Sequence, residues 1–527
     1  MLRWMGMSAL AGAAARLPIW GGELPLAYVQ QFGSRASFVP DVELALRAAA
    51  GEARILPGSA TRLWRFTGEV LKGPSETLQA IPDSYLGPVI RLRKGQKVRI
   101  RFSNALPEST IVHWHGLTVP AEMDGHPRSV IAPGKEFVYE FEVINRAGTY
   151  WYHSHPHDRT GPQVYRGLAG LLLISDQEET ALGLPSGAEE ILCVLQDRRF
   201  DSQNQLIYLP SGTTGMMGMM GMTDQMRGFL GDRILVNGRE RPSLALATQA
   251  YRLRLLNSSN ARIYKLAWSD GTPMTIIGTD GGLLERPLQQ AYLTLAPAQR
   301  ADLILDLSNH AVGANIELRS APFPAADVDQ SGMMGMGRMA QSVVPNGAPL
   351  SLLTIQVARR VASNFSLPSQ LSVFDASWRR EPSGPSRRVT LSFGRGQWLL
   401  DGRTFDMTGA TPEETVSPGS TQIWELANVS GMMGVQMAHP IHLHGQQFRV
   451  LSRQLRSGSG EDGKAIREGF ADEGWKDTVL VMPDETVRLL VTFTRYPGLF
   501  LYHCHILEHE DMGMMRNFRV TAAAGTA

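Results

Sequence analysis

Ten of the 13 histidines fall in four short segments: His113/His115, His153/His155, His439/His442/His444 and His503/His505/His509. In an extended strand, residues two apart face the same side, so each His-x-His pair presents two imidazoles together. Four such pairs offer eight ligands. Neutral imidazole suits copper, zinc, iron and nickel, so the pattern indicates a metal protein without naming the metal. For His126, His157 and His310, which stand outside the pairs, a solvated or satisfied core histidine is the expectation.

The stretch around Cys504 narrows the metal. His503-Cys504-His505 is followed by His509 and Met514, and His439 stands three residues before a pair. With the four pairs set aside, His439, Cys504, His509 and Met514 are left over. Two imidazoles and a thiolate in one plane, with a weak axial thioether, make a blue copper site. Alternation aims Cys504 to one face of its strand and its two histidine neighbours to the other, so one tripeptide touches two centres. Asp124, just past His113-Trp-His-Gly116, and Glu510, directly after His509, are placed to move protons beside such centres. They are equally suited to capping a turn and to orienting a ligand histidine.

The elements that must hold these residues are strands. A strand ending in Asn occurs three times, at Val98–Asn104, Tyr251–Asn257 and Gln422–Asn428. Each is followed by a Pro turn that opens an alternating strand, at Ala132-Pro133, Ala296-Pro297 and Met482-Pro483. Period-two alternation with few helical stripes predicts an all-β chain of three antiparallel sandwiches, over 50–178, 186–358 and 388–522. Residues 359–387, rich in Ser, Pro and Arg, read as a linker, and 1–49 as a leader and arm. Gly148-Thr-Tyr-Trp-Tyr-His-Ser-His155 matches Gly498-Leu-Phe-Leu-Tyr-His-Cys-His505, while the middle unit has no His-x-His pair. The chemistry is therefore expected where the first and third units meet.

Composition excludes other classes. With 51 Lys plus Arg against 50 Asp plus Glu and no dense basic run, nucleic acid is not an expected partner. Two cysteines exclude a disulfide framework, and Cys193, in an apolar strand-like run, reads as a buried inert thiol. No apolar run after the first 30 residues is long enough to span a bilayer. Arg3 and the small apolar stretch Met7–Ala14 read as the latter part of an export signal, without a twin arginine, and imply a periplasmic or secreted protein.

The four histidine segments, in order and spacing, resemble the copper motifs of the multicopper oxidases over nearly the whole chain. The resemblance implies three consecutive cupredoxin-like Greek-key β-sandwich domains and four copper ions. By position, His439, Cys504, His509 and Met514 match the type 1 ligands, and His113 and His442 the type 2 ligands. His115, His153, His155, His444, His503 and His505 match the type 3 pair. Asp124 and Glu510 resemble acidic residues assigned to proton delivery in bacterial members, and Cys504 the electron bridge. The implied activity is that of a laccase, taking single electrons from phenols or aromatic amines and reducing O2 to water in a monomer.

The 23 methionines point to a second substrate. They cluster at 216–222, at Met333, Met334, Met336 and Met339, and at Met432, Met433 and Met437. Thioethers favour Cu(I), and Met437 lies two residues before His439, so Met437, Met432, Met433, Met333, Met334 and Met336 form a candidate Cu(I) substrate site. This resembles the cuprous oxidases of copper tolerance. Those enzymes carry a Met-rich insertion in their third domain and an acidic residue where this chain has Val435. Glycine at nearly every third place in the Met runs is expected to exclude a regular core helix and to give a flexible flap. A copper-free structural relative in cell division and a copper-sequestering protein are the competing classes. Intact ligand positions argue against the first, and the Cys504 bridge against the second.

Overall fold

The computed structural model describes residues 37–209, 215–330, 344–375, 386–431, 434–456 and 463–522, with 215–220 described by backbone alone. Six sheets form three two-sheet sandwiches in chain order. Each sandwich has its own apolar core, built around residues such as Phe102 and Trp114, Leu253 and Trp268, and Trp424 and Phe518. Each buried side chain of this size contributes about 1.5–3 kcal/mol on removal from water, so each unit has a core of its own.

Both repeated features of the sequence become neighbours in a sheet. In each unit the Asn-ended strand (Lys97–Ala105, Ala250–Asn257 or Thr421–Asn428) pairs antiparallel with the strand after the Pro turn. The asparagine has a defined task. Asn104, Asn257 and Asn428 donate their amide N–H groups to the carbonyls of Ile131, Leu295 and Val481, each just ahead of its Pro turn. A buried amide tying two loop ends together would leave unpaired carbonyls if it were lost, which explains its place in all three units.

The sandwiches are not purely antiparallel. Among the described strands each sheet contains one parallel pair, and in every unit the opening strand runs parallel to the Asn strand. Alternation cannot report strand direction, because the same faces are buried either way. The first opening strand is Val42–Ala53, so the first sheet begins within the stretch read as leader and arm. The stretch read as a linker has no helix or strand over 360–375, yet it is docked, with Leu371 buried and Phe374 under the Arg146 guanidinium at 5.0 Å. No described helix is long and apolar enough to cross a membrane.

One expectation is overturned. Gly215–Arg227, the first Met-Gly run, is an α-helix. Local propensity opposes it by about 1 kcal/mol per glycine, but its C-terminal end is anchored to the third unit by hydrogen bonds described below. Met333, Met334, Met336, Met432 and Met433 lie outside the described residues. Met437 is buried, in the same cluster as Cys504 and Met514.

Candidate metal centre

Two short antiparallel pairs carry the histidines. In the first unit, His113 lies opposite His153 on the strands Val112–His115 and Gly148–Ser154. In the third, His442 lies opposite His503, and Ile441 opposite Cys504, on His439–Leu443 and Gly498–Cys504. All ten clustered histidines are buried, none more than 1% exposed. The two pairs face each other across the interface, with His113 Nε2 3.3 Å from His442 Nε2 and His155 Nε2 3.4 Å from His503 Nε2. His444 Nε2 lies 3.1 Å from His503 Nε2.

These distances test whether a cation fits. His113 Nδ1 donates to the Asp124 carbonyl at 2.7 Å, and His442 Nδ1 to the Asp477 carbonyl at 2.8 Å. That fixes both tautomers and leaves two Nε2 lone pairs pointing at each other. His503 donates Nδ1–H to the Cys504 carbonyl at 3.0 Å, and His444 donates Nδ1–H to the Asp124 carboxylate at 2.8 Å, so their Nε2 atoms oppose in the same way. Further nitrogens, His115 Nδ1, His153 Nε2, His155 Nδ1 and both of His505, are buried without a hydrogen-bond partner among the described residues. Burial and neighbouring imidazoles hold His113, His115, His444 and His505 far below the usual histidine range, and burial takes His153 down to about 3. Converging neutral lone pairs on buried imidazoles are costly unless a metal sits among them, and the donor set suits copper.

On the other face of the Cys504 strand, the thiol Sγ lies 3.4 Å from His439 Nδ1 and 3.6 Å from His509 Nδ1. The Ile506 backbone N–H donates to it at 3.4 Å. Met514 is fully buried in the same cluster, and its backbone bonds Cys504 and His509. Burial pushes the Cys504 thiol up, while a coordinated metal would deprotonate it outright. Cys193, by contrast, is buried in the apolar core of the middle unit and pushed up to about 12.

The two carboxylates singled out from the sequence both touch the cavity. Glu510 lies 3.2 Å from His503 Nδ1 and 3.4 Å from His155 Nε2. Burial raises Asp124 well above the ordinary carboxyl range, offset only in part by Arg128. Burial acts on Glu510 in the same sense, but the imidazoles of His155, His503 and His505 overrule it and hold it low.

Sequence reasoning missed Asp477 and Arg300. Asp477 Oδ1 lies 3.1 Å from His115 Nε2, and its carboxylate is chelated by Arg300 of the middle unit, one Nη1–Oδ1 bond being 2.7 Å. Burial opposes its ionisation, but Arg300 holds it far below the usual range. Neither residue stands in a motif, though the glycine of His113-Trp-His-Gly116 carries a trace of them. A Cβ on Gly116 would lie 2.6 Å from Asp477 Oδ2 and 2.7 Å from Arg300 Nη2, at a φ of 88° that favours glycine. His126 is a satisfied core histidine, with Nε2 2.9 Å from Asn517 Oδ1 and Nδ1 accepting from the Arg128 N–H.

Comparison with known proteins agrees with this geometry. Two family models described as multicopper oxidase match residues 65–179 and 379–524. A laccase of Bacillus stratosphericus is 31% identical over 509 residues, covering 86% of this chain and 90% of its own length. The cell division protein FtsP of Xenorhabdus nematophila is 31% identical over 521 residues, covering 97% and 98%. The crystal structure of the McoA multicopper oxidase from Aquifex aeolicus superposes with a TM-score of 0.74 at 34% identity, covering 92% of this chain and 97% of that one. A donor set that fits copper, three cupredoxin-like sandwiches and these relatives place the chain in the multicopper oxidase family, copper-dependent oxidoreductases that use O2.

Proposed function

We propose that this protein is a laccase-type multicopper oxidase that takes single electrons from phenols or aromatic amines and uses four of them to reduce O2 to water. In this reading His439, Cys504, His509 and Met514 hold one type 1 copper, and His113 and His442 the type 2 copper. His115, His153, His155, His444, His503 and His505 hold the two type 3 coppers. When bound, these four ions supply one-electron storage and O2 reduction. The observation that carries the reading is the register Ile441 to Cys504 and His442 to His503, which sets Cys504 on one face of a strand and its neighbours on the other. Cys504 then bridges the two centres through its own backbone.

The reductant's place is supported by a cavity of about 980 Å³ lined in part by Met226, whose carbonyl oxygen accepts from His509. Its lining includes Tyr165, Tyr208, Phe405, Met222, Met226 and Glu508. Aromatic and thioether walls with a carboxylate suit a phenol or aromatic amine, which needs a face to pack on and an acceptor for its O–H or N–H. Glu508 is buried, accepts from the Tyr208 hydroxyl at 2.7 Å and from Asn260 at 2.8 Å, and so presents a fixed oxygen. Asp124 and Glu510 are the proposed proton relays. The raised pKa of Asp124 suits holding a proton at its unpartnered Oδ1, and Glu510 bridges two ligand histidines.

Cuprous oxidation is the second reading, favoured by Met222, Met226 and Met512 in that same cavity and by Met437 in the Cys504 cluster. The likeness to FtsP raises a structural role in cell division, against which the converging unpartnered nitrogens weigh. A monomer exported to the periplasm or secreted completes the proposal. The test is oxygen uptake by copper-loaded protein on Cu(I) and on a methoxyphenol, with and without added Cu(II), and with Met437→Leu. Fast phenol turnover without added copper supports the laccase reading. Turnover of Cu(I) alone, impaired in M437L, replaces it with a cuprous oxidase, and no uptake from fully loaded protein overturns both.

A further inference from the structure

His439 and His509 both turn Nδ1 toward Cys504, but their outer nitrogens differ. Nε2 of His439 is buried with no hydrogen-bond partner among the described residues. Nε2 of His509 donates to the carbonyl oxygen of Met226 at 2.9 Å. That oxygen also accepts the indole N–H of Trp398 at 2.9 Å. Trp398 is fully buried, with its ring centroid 4.6 Å from that of His439 and 5.2 Å from that of His509. Met226 is the penultimate residue of the methionine-rich helix Gly215–Arg227, where a helix leaves carbonyls without internal partners. Here one such carbonyl is taken by two donors from another unit.

We infer that Trp398 is a positioning residue that, through the Met226 carbonyl it shares with His509, couples the methionine-rich helix to the type 1 centre. This rests on the reading of His509 as a type 1 ligand. A carbonyl accepting the outer N–H of a ligand imidazole makes that ligand more basic and favours the oxidised metal. Two donors drawing on one oxygen each receive less than a sole donor would. Trp398 therefore weakens the hold of Met226 on His509 while it tethers the end of the helix. Met222, Gln225 and Met226 line the cavity beside that end, so whatever fills the cavity bears on the same carbonyl.

The test is Trp398→Phe, which keeps an aromatic ring and removes the N–H. In a redox titration of the holoenzyme against ferricyanide and ferrocyanide, the type 1 equilibrium is expected to shift roughly threefold toward the oxidised form, the scale of one modest hydrogen bond. Amide exchange over 221–227 is expected to quicken. A purely packing role would change exchange and stability but not the potential, so an unchanged potential overturns the inference. If W398F does not load copper, amide exchange in the parent holoenzyme decides. Different protection of 221–227 between oxidised and reduced protein is expected, and equal protection overturns the coupling. Absence of a blue charge-transfer band in the fully loaded parent would instead sink the type 1 reading of His509.

Discussion

The histidine cavity and the cysteine centre lie on opposite faces of one strand, yet they are held in different ways. In the cavity, four outer nitrogens are taken by backbone carbonyls, Asp124 for His113, Asp477 for His442, Ser154 for His153 and Cys504 for His503, and that of His444 by the Asp124 carboxylate. At the cysteine centre one outer nitrogen has no partner among the described residues and the other is held by a helix of a different unit. Backbone carbonyls of the first and third units themselves thus orient four of the cavity's rings. The cysteine centre is open to the influence of a neighbouring unit through the Met226 carbonyl.

The largest break of this comparison is Cys504→Ser. A hydroxyl cannot replace a thiolate as a soft ligand, so the blue band is expected to vanish and turnover to fall by at least about 100-fold, with copper in the histidine cavity retained. Absorption spectroscopy with metal analysis checks it; loss of all copper would show that the two faces are not independent.

Arg300→Met attacks the cavity from the middle unit. It leaves the Asp477 carboxylate buried without its cation, and the removal of one partner of such a pair costs about 3–5 kcal/mol. Denaturant unfolding of the metal-free protein measures this, and a change under 1 kcal/mol would mean that Asp477 is neutral.

Asp124→Asn sharpens the comparison more gently. The amide keeps the shape and an oxygen that can accept from His444, and its backbone carbonyl still serves His113, but a proton can no longer be taken up and released at this side chain. Turnover is expected to fall by about 10- to 100-fold with the blue band unchanged. An equal fall in both would place the effect at the wrong centre.

The smallest effect is at His126, which lies outside both centres. Its folded pKa is lowered from 6.5 to about 3, chiefly by burial, so it is neutral in the fold and protonated in the unfolded chain below 6.5. Its stabilising contribution is therefore complete above pH 6.5 and is lost as pH falls toward about 3. At pH 5 the loss relative to pH 7 is roughly 2 kcal/mol, and His126→Asn is expected to lack that part of the acid sensitivity. Parallel pH–stability curves for the two proteins would show that the imidazole stays neutral when unfolded or charged when folded.

Much of this was legible in the sequence. Alternation and the thrice-repeated Asn strand gave three sandwiches, and the partners of Asn104, Asn257 and Asn428 supply the reason for the repeat. The parallel strand pairs were not legible, because burial patterns carry no direction. Nor was the helix over the Met-Gly run, whose last turn is tied by hydrogen bonds to a distant unit that no local pattern records.

By itself the sequence determined which side chains share a strand face, since period two is a property of any extended chain, and so it determined the histidine pairs and the placement of Cys504 on the face opposite its two histidine neighbours. Tertiary structure alone decided what stands behind them: Asp477 and Arg300 are 177 residues apart, and Met226 and His509 are 283 apart. A hydrogen bond to a buried ligand depends on distance and direction, which only the packed units fix, and no spacing along the chain records it.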